Sequence, residues 1–542
     1  MNKLWYKNAV IYSLDVEVFR DSNGNGVGDF TGLIQCIPYL AGMGVDAVWL
    51  QPFYDSPNRD DGYDVRDYFK VDSRLGDLGH FAELVDAADE AGIRILIDLV
   101  VNHTSTAHPW FEKAREDSDS KYRDFYIWSD HKPEDDGKHA VLEELQGHTN
   151  WTYDRSAKKW YYHTFLPNQP DLNISNPEVR AEIIRVIHFW LKLGISGFRI
   201  DATPHMFREK GSEKFDGDPL QILRDFREFT EVHNRDAILL AEVDVDPKRY
   251  RDFFGDQDKV HMLFDFHLNN SIFLALVTGK AIPVRKALRK LPRLGAREQM
   301  ANFLRNHDEL SLAQLSKKEQ QTVFSAFAPE EGMRIFDHGI RRRLAPMLKN
   351  DRKRLEMAYS LLFSLPGTPV IRYGQELGMG ENLELKERDS VRTPMQWDSG
   401  KNGGFSEAPE DQLIKPVLSE GEFGYQKLNV TDQHRDPESF LNWMTRCIRF
   451  RKEVIEIGHG KWDLIKVSHP AVLALSFHYE NRTSLIFHNF SEKEVIVSFE
   501  FKSQDEMLDV FGDVRYGQFD ARSGNIKLSA FGYRWIRKRN IF

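Results

Sequence analysis

Cysteine is scarce in this sequence. Among its 542 residues only Cys36 and Cys447 occur. Two cysteines cannot build a disulfide framework, so the sequence predicts a protein of a reducing compartment. The first seven residues contain no apolar segment of the kind found in a signal peptide. Together these absences predict a cytoplasmic protein.

The sequence lacks the features that binding to nucleic acid or to a membrane would require. The formal net charge is −10, which argues against a nucleic-acid ligand, because binding to a phosphate backbone needs a basic surface. No apolar run reaches the roughly 20 residues of a membrane-spanning helix, so no membrane association is predicted. Internal repeats and low-complexity segments are also missing. A soluble globular protein remains, and its association into a homo-oligomer stays open.

The sequence does contain short apolar runs that alternate with longer amphipathic ones. The short runs have the length of strands, and the long ones have helical spacing, as for Leu84, Val85 and Ala88. Eight such pairs within roughly 370 residues predict a parallel (β/α)₈ barrel. The predicted strands lie at 10–14, 47–50, 94–101, 194–201, 238–242, 260–265, 299–304 and 368–373. Predicted helices lie at 33–42, 81–91, 176–193, 221–232, 351–365 and 439–452.

Three regions depart from this alternation and define the predicted domains. Residues 102–172 are predicted to form a small irregular domain over the mouth of the barrel, whose own residues are 1–101 and 173–460. The polar, Gly- and Pro-rich segment from Gly380 to Asp436 predicts a functional loop or a lid. Residues 461–542 contain short alternating strands, which predict a C-terminal antiparallel β-sandwich.

Carboxylates follow several of the predicted strands. Asp201, Glu242 and Asp308 each come at or just after such a strand, and the carboxyl ends of barrel strands converge on one cleft. Arg199 and Asp201 share one face of their strand, so the guanidinium is expected to favour the ionised carboxylate. Taken alone, this pair is equally compatible with an ordinary structural ion pair. All three carboxylates together indicate retaining glycoside chemistry.

The motifs around these residues resemble those of the α-amylase superfamily of glycoside hydrolases and transglycosylases. The resemblance covers nearly the whole chain and includes Asp98-Leu-Val-Val-Asn-His103. Within the superfamily, five segments look most like the trehalose synthases, which isomerise maltose and trehalose. These segments are Arg59–Asp64, Gln169–Asn173, Asn306–Leu310, Gly339–Pro346 and Val391–Trp397.

The resemblance implies a role for each site residue. Asp201 is the nucleophile that forms a covalent glucosyl-enzyme, Glu242 is the acid/base, and Asp308 binds the sugar 2-OH and 3-OH groups. Tyr63 stacks on the glucose ring and Glu309 helps to close the acceptor side. The remaining implied substrate ligands are Asp60, His103, Phe165, Arg199, His307 and Arg392, with Arg392 expected to partner Asp60.

The acceptor decides which reaction results. With glucose as acceptor the enzyme is a maltose–trehalose isomerase; with water it is an α-glucosidase or an amylase. The stretch from Val243 to Pro247 departs from the Asn-Gln-Trp-Pro-like segment of trehalose synthases, so the hydrolase stays the alternative. A non-catalytic scaffold, like the amylase-like heavy chains of amino-acid transporters, is a distant third, because those proteins carry a membrane span and lose catalytic carboxylates.

One loop predicts a Ca²⁺ site, and no organic cofactor is predicted. Its oxygen ligands alternate as in the first half of an EF-hand, but Gly32 stands where the bidentate acid would be. The family loop commonly binds Ca²⁺; a bare Gly-rich turn is the alternative. The predicted ligands are Asp21, Asn23, Asn25, the Val27 carbonyl and Asp29. A second cation at Asn102 and Asp171 stays open, because Arg208 replaces a family carboxylate.

Overall fold

The computed structural model describes residues 4–133, 149–207, 218–499, 506–516, 519 and 524–538. Arg208, the residue expected to bear on a second cation, lies outside these residues. Among the described residues, no helix combines the length and apolarity that crossing a bilayer would require.

Eight parallel strands close into a barrel, as predicted. They form short runs that are buried except at Arg94, because both faces of a parallel barrel strand are covered. In chain order they are Ile11–Leu14, Ala47–Leu50, Arg94–Leu99, Gly197–Ile200, Ile238–Ala241, Met262–Phe264, Gln299–Phe303 and Thr368–Arg372. The first strand pairs with both the second and the eighth, which closes the ring.

Helices connect the strands and cover the outside of the barrel. The longer ones are Phe30–Met43, Leu78–Glu90, Pro177–Lys192, Gln221–His233, Phe266–Thr278, Ile282–Lys290, Lys317–Phe327, Arg352–Ser364 and Phe440–Glu453. The first two begin three residues before their predicted starts, because Asp29 and Asp77 cap them by accepting backbone N–H bonds. Shorter helices are Thr203–Met206, Tyr250–Phe254, Leu344–Met347, Val430–Arg435 and Glu456–His459.

The segment inserted after the third barrel strand has regular structure of its own. It contains the helix Pro109–Glu116 and a three-stranded antiparallel sheet formed by Trp128–Ser129, Trp151–Asp154 and Lys159–Tyr162. Aromatic side chains pack its interior, for example Phe111 stacked on Trp128. Two isolated bridges pair the end of the segment with earlier parts of it, Asp171 with His103 and Leu172 with Tyr126.

Small sheets and single turns shape the mouth of the barrel. Tyr54–Asp55 pairs with Asp67–Val71, and Gly339–Ile340 lies between Leu310–Ser311 and Arg334–Ile335. Single turns of 3₁₀ helix are Trp5–Lys7, Val16–Val18, Arg123–Phe125, Pro247–Arg249, Glu331–Met333, Glu387–Val391, Lys401–Gly404 and Glu410–Gln412.

The C-terminal region is an antiparallel β domain, as predicted. Its five-stranded sheet has the order Lys461–Leu464, Val472–Tyr479, Arg482–Asn489, Tyr533–Lys538, Met507–Gly512. A second pair of strands, Val495–Ser498 and Asn525–Leu528, shares a buried apolar cluster with this sheet. The domain is joined to the barrel by buried contacts such as the Trp443 indole N–H donating to the Tyr533 hydroxyl over 2.7 Å.

Candidate active site

A single guanidinium organises the carboxyl ends of the barrel strands. Arg199 is 1% exposed, and its Nη1 lies 2.5 Å from Asp98 Oδ1 and 2.6 Å from Asp201 Oδ1. Its Nη2 lies 2.6 Å from Glu242 Oε2. Three strands therefore deliver three carboxylates to one cation. Because Asp201 and Glu242 bind the two terminal nitrogens of one planar group, their carboxyls are held side by side.

The backbone after Asp201 helps to position Glu242. Ala202 adopts a left-handed conformation with φ of 43°, which a non-glycine residue rarely adopts and which marks functional sites. In this conformation the Ala202 N–H donates to Glu242 Oε2 over 3.0 Å. The acid thus accepts from both Arg199 and the backbone beside the nucleophile.

Burial controls the protonation of these carboxyls. It raises the pKa of Asp201 to about 7 in spite of Arg199, and Asp98 and Asp308 add to the rise. Burial likewise raises the pKa of Glu242 to about 7, with Asp201 and Asp308 adding to it, and that of Asp98 to about 6. Arg199 lowers the pKa of Asp201, as expected, but burial outweighs its effect. One cation cannot compensate several buried carboxylates, so the pair holds a proton near neutral pH.

The aromatic residues expected around the glucose do converge. The ring of Tyr63 is stacked on that of His307, and its hydroxyl lies 2.8 Å from His307 Nε2. His103 Nε2 lies 3.2 Å from the Tyr63 carbonyl oxygen. Phe165 meets the His103 ring edge-on at 5.4 Å and is half-buried. These four residues form one wall of the cleft.

Asp308 has a lowered pKa, whereas those of Asp201 and Glu242 are raised. Burial opposes its ionisation, but His307, Arg388 and Arg199 outweigh burial and lower its pKa to about 2. Burial lowers the pKa of His307 to about 3, so this imidazole is neutral at neutral pH and the guanidinium groups supply the charge. A carboxylate that is ionised at all working pH values can accept hydrogen bonds from sugar hydroxyls.

Asp60 is partnered by a different arginine from the one expected. Arg388 Nη2 lies 3.2 Å from Asp60 Oδ1, and Arg388 Nη1 lies 2.6 Å from Asp308 Oδ1. Arg392 also reaches Asp308 Oδ1, at 3.2 Å, but its other ion pair is with Asp61. The prediction that Arg392 partners Asp60 is corrected on this point, because the 3₁₀ turn Glu387–Val391 directs Arg388 to that carboxylate instead.

Further contacts hold the segment after Gly380 against the cleft. Lys415 Nζ lies 3.2 Å from Asp61 and 2.9 Å from Asp389, and it is buried. Gln169, from the inserted segment, donates to Asp60 Oδ2 over 2.8 Å. The predicted lid, through Arg388, and the predicted inserted domain, through Gln169, therefore both reach Asp60, the carboxylate expected to bind glucose.

Glu309 is the residue expected to close the acceptor side, and Arg388 and Asp308 are among the charges that act on it. Burial raises its pKa to about 7, partly opposed by Arg388. Gly339 makes room for it, because a Cβ there would lie 2.6 Å from Glu309 Cγ. Nearby, Gln314 Nε2 donates to Asp244 Oδ1 over 2.6 Å. Asp244 belongs to the stretch that departs from trehalose synthases, so this pair stands where their acceptor segment would be.

The loop of the predicted Ca²⁺ site is closed by its own hydrogen bonds. Asp21 accepts from the N–H groups of Asn23, Gly24 and Gly26. Asp29 accepts from Ser22 and Asn23, and its Oδ1 also caps the first helix through the Gly32 N–H. Asn25 accepts from the Val27 N–H. Within the described residues, no cluster of three or more His, Cys, Asp or Glu side chains suits a metal ion.

At the positions proposed for a second cation, side chains are already engaged. Both oxygens of Asp171 accept from Thr164, over 2.7 Å and 2.6 Å. Asn102 Nδ2 lies 3.3 Å from His103 Nδ1.

Sequence reasoning missed several participants. They are Asp61, Asp98, Gln169, Asp244, Gln314, Arg388 and Lys415. Asp98 and Gln169 fall inside motifs that the resemblance already used, so a charge count around Arg199 could have singled out Asp98. Nothing in the sequence singled out Arg388, because it lies in a long irregular loop. In such a loop the spacing of residues does not predict where a side chain points.

Comparisons with known proteins agree with this geometry. Residues 16–460 match the α-amylase catalytic-domain family. The trehalose synthase of Thermus thermophilus is 41% identical over 494 residues, 91% of this chain but 51% of that protein, so the chain spans about half of that relative's length. The trehalose synthase of Pimelobacter sp. (strain R48) is 36% identical over 552 residues, 98% of this chain and 96% of that protein. An α-amylase structure from H. orenii has a TM-score of 0.79 at 28% identity and covers 98% of this chain and 100% of its own. The chain therefore belongs to the α-amylase family.

Proposed function

We propose that this chain interconverts maltose and trehalose through a covalent glucosyl-Asp201 intermediate. The observation that carries the proposal is the placement of Asp201 and Glu242 on the two terminal nitrogens of Arg199. Retaining glycosidases need two carboxyls only about 5–5.5 Å apart, and one bridging guanidinium favours such a short separation. The similarity to two trehalose synthases supports the choice of substrate.

In the first step Glu242 donates its proton to the bridging oxygen of maltose while Asp201 attacks the anomeric carbon. The bond to the leaving glucose breaks, and a glucosyl ester forms on Asp201 through an oxocarbenium-like transition state. A proton on Glu242 at neutral pH is what its raised pKa supplies. Asp308, held ionised by arginines, binds the sugar hydroxyls as the ring distorts.

In the second step the released glucose turns within the pocket and presents its anomeric hydroxyl. Glu242, now a carboxylate, takes the proton of that hydroxyl as its oxygen attacks the anomeric carbon of the glucosyl ester. The ester bond breaks, Asp201 is regenerated, and an α,α-1,1 linkage forms. Each proton that Glu242 gives in the first step returns in the second, so the cycle needs no cofactor.

Retention of glucose requires a cleft that excludes water. Arg388 ties the segment after Gly380 to Asp60 and Asp308, and Lys415 ties the same segment to Asp61. These ion pairs favour a closed cleft, in which a bound acceptor has an effective concentration on the order of 10⁵ M or more. At such a concentration glucose competes successfully with water.

An α-glucosidase or amylase is the second candidate. Asp244 paired with Gln314 replaces the acceptor segment of trehalose synthases, and an altered acceptor side favours attack by water. The chemistry at Asp201 and Glu242 is the same for both candidates, so only the acceptor separates them.

The deciding experiment incubates the purified chain with maltose alone and, separately, with trehalose alone. The isomerase is expected to convert each sugar into the other, with glucose as a minor product. The sugars are resolved by chromatography, and Asp201→Asn serves as the control for contaminating activity. Glucose as the sole product from maltose, with trehalose left untouched, would assign the chain to the hydrolases.

A companion variant tests the acceptor side. Glu309→Ala is expected to increase the share of glucose among the products from maltose, because it removes the side chain proposed to close the acceptor side. The total turnover of maltose should change less than the ratio of glucose to trehalose, because Asp201 and Glu242 keep their contacts. An unchanged ratio would remove Glu309 from acceptor retention.

We also propose that the loop from Asp21 to Asp29 binds one Ca²⁺ when the ion is present. Hard cations prefer oxygen ligands, and this loop offers two carboxylates, two amide oxygens and the Val27 carbonyl at alternate positions. The ion would hold the loop against the first barrel helix and would take no part in the reaction.

Chelation should therefore lower the melting temperature. A ligand bound only by the folded state stabilises that state, so excess EGTA is expected to shift the unfolding curve down and added CaCl₂ to restore it. Asp21→Asn should abolish the difference between the two curves. Identical curves with and without chelator, in a sample free of metal by elemental analysis, would favour the bare turn.

A cytoplasmic location and association into a homo-oligomer stay predictions from the sequence.

A further inference from the structure

An open groove lies on the outside of the barrel, where the helix Phe30–Met43 meets the helix Phe440–Glu453. Its volume is about 450 Å³, which falls within the roughly 300–1,000 Å³ that is usual for small-molecule sites. Met43 and Leu441 give it an apolar part. None of its lining residues belongs to the cleft around Asp201, so the groove is a separate site.

The charged side chains that line this groove are positive. Arg446 and Arg449 stand three residues apart on one helix, so they share a face of it, and the imidazole of His434 lies in the same lining. Among the described residues of the lining there is no carboxylate, and within the described chain neither arginine forms an ion pair. The chain as a whole has a formal net charge of −10. A groove lined by cations departs from that balance and selects an anion.

Backbone carbonyls hold both guanidinium groups in place. Arg446 Nη1 donates to the Pro437 carbonyl over 2.9 Å, and Arg449 Nη2 donates to the Gly42 carbonyl over 3.2 Å. These bonds fix the two side chains without neutralising them, and each guanidinium has further N–H groups for a ligand. The planar N–H pairs of arginine match the oxygens of a phosphate group.

The acids that lie near the groove in the sequence have partners of their own. Asp432 Oδ2 accepts from Asn429 Nδ2 over 2.8 Å. Asp436 Oδ1 accepts from the Glu438 N–H over 3.0 Å. Neither aspartate is among the lining residues, so the two arginines keep their charge for a ligand.

Neutral polar groups line the groove beside the arginines. Asn442 Nδ2 donates to the carbonyls of Gln433 and His434, over 2.9 Å and 3.1 Å, so Oδ1 is the atom of this amide that can accept from a ligand. Thr445 Oγ1 donates to the Leu441 carbonyl over 2.9 Å, and its lone pairs can accept in the same way. Sugar hydroxyls are suitable donors for both oxygens.

We propose that this groove binds a phosphorylated monosaccharide. The phosphate lies between Arg446 and Arg449, whose two charges match the charge of about −1.5 to −2 that a phosphate monoester carries at neutral pH. The sugar hydroxyls donate to Asn442 and Thr445, and the apolar face of the ring packs on Leu441.

The groove is connected to the active site through Trp397. The ring of Tyr39, which lines the groove, meets the Trp397 ring edge-on at 5.3 Å. The short helix beside the groove begins with the Thr431 N–H donating to the Trp397 carbonyl over 2.9 Å. Trp397 follows Arg392 in the same segment, and Arg392 reaches Asp308 in the cleft. A ligand in the groove therefore steadies the segment that carries Arg392. This effect on turnover rests on the proposed function, whereas binding of the ligand does not.

Binding is tested with the wild-type protein by calorimetric titration of glucose 6-phosphate, with glucose and inorganic phosphate titrated separately. Glucose 6-phosphate is expected to bind at least about tenfold more tightly than either, because only it makes both sets of hydrogen bonds. A crystal soaked in the same compound should show its phosphate between Arg446 and Arg449. Density only in the cleft around Asp201, or an affinity no higher than that of inorganic phosphate, would overturn the proposal.

Two double variants separate specific binding from a general effect of charge. Arg446→Gln with Arg449→Gln should weaken the binding of glucose 6-phosphate at least about tenfold. Arg289→Gln with Lys290→Gln removes two positive charges from the exposed last turn of the helix Ile282–Lys290, and it should keep the wild-type affinity. Equal affinities in the two double variants would overturn the proposal. The wild-type crystal decides the matter even if the first variant fails to fold.

The dependence of maltose turnover on the ligand is a separate readout. Glucose 6-phosphate should lower the KM for maltose by about fivefold or more in the wild type and in the Arg289→Gln, Lys290→Gln variant. In the Arg446→Gln, Arg449→Gln variant the KM should not respond. A KM that stays constant in the wild type, with the groove occupied, would overturn the connection to the active site. If maltose proves not to be a substrate, the titrations and the crystal still decide whether the groove binds its ligand.

Discussion

Asp201→Asn should reduce the turnover of maltose by at least about 10⁴-fold and leave the fold intact. The amide has nearly the shape of the carboxylate, so the contact with Arg199 over 2.6 Å can be largely kept. What is lost is the nucleophile that forms the glucosyl ester, and no other described carboxylate lies beside both Glu242 and Ala202. Measured maltose consumption and a circular dichroism spectrum check the two halves of this expectation.

The matched control is Asp89→Asn, the same chemical change at an exposed position on the second barrel helix. This variant should keep wild-type turnover and the wild-type melting temperature to within experimental error. Turnover above about a hundredth of wild type in Asp201→Asn would remove Asp201 from the role of nucleophile.

Glu242→Gln should slow the turnover of maltose by about 10²–10⁴-fold, yet should still react with α-glucosyl fluoride. Fluoride leaves without needing a proton, so the first step proceeds without an acid. The second step still lacks its base, and the glucosyl-enzyme should accumulate. A burst of fluoride and a mass increase of one glucosyl group on Asp201 are the expected results. Full activity on maltose would assign the acid/base role elsewhere.

The pH dependence of the stability of Glu242→Gln provides a second test. The pKa of Glu242 is raised to about 7 in the folded protein, above its unfolded value near 4.3. The folded state therefore binds this proton more tightly, and the resulting stability is present below the unfolded pKa and is lost as the pH rises through about 7. Glutamine has no such loss, so the variant should melt higher than wild type at pH 8, with the gap closing at pH 5.

An exposed counterpart controls for the removal of charge. Glu90→Gln, at the end of the second barrel helix, should show no such dependence on pH. If Glu242→Gln melted below wild type at pH 8, the raised pKa would not be a property of the folded protein in solution.

The fold was predictable because local patterns carry it. Apolar runs of four to eight residues between amphipathic runs indicate a parallel barrel when they occur eight times. Helix starts were placed less well, since capping residues such as Asp29 and Asp77 precede the apolar spacing that marks a helix. The strand-end position of Asp201, Glu242 and Asp308 followed from the same patterns, and with it the glycoside chemistry.

The sequence by itself determined the barrel, its C-terminal β domain and the set of carboxylates that meet at the strand ends. Only the tertiary structure decided which groups those carboxylates face. Arg388 and Arg392 stand four residues apart in an irregular loop, and no periodicity there indicates that Arg388 partners Asp60. The raised pKa of Asp201 is a sum over burial and several distant charges, which spacing does not encode.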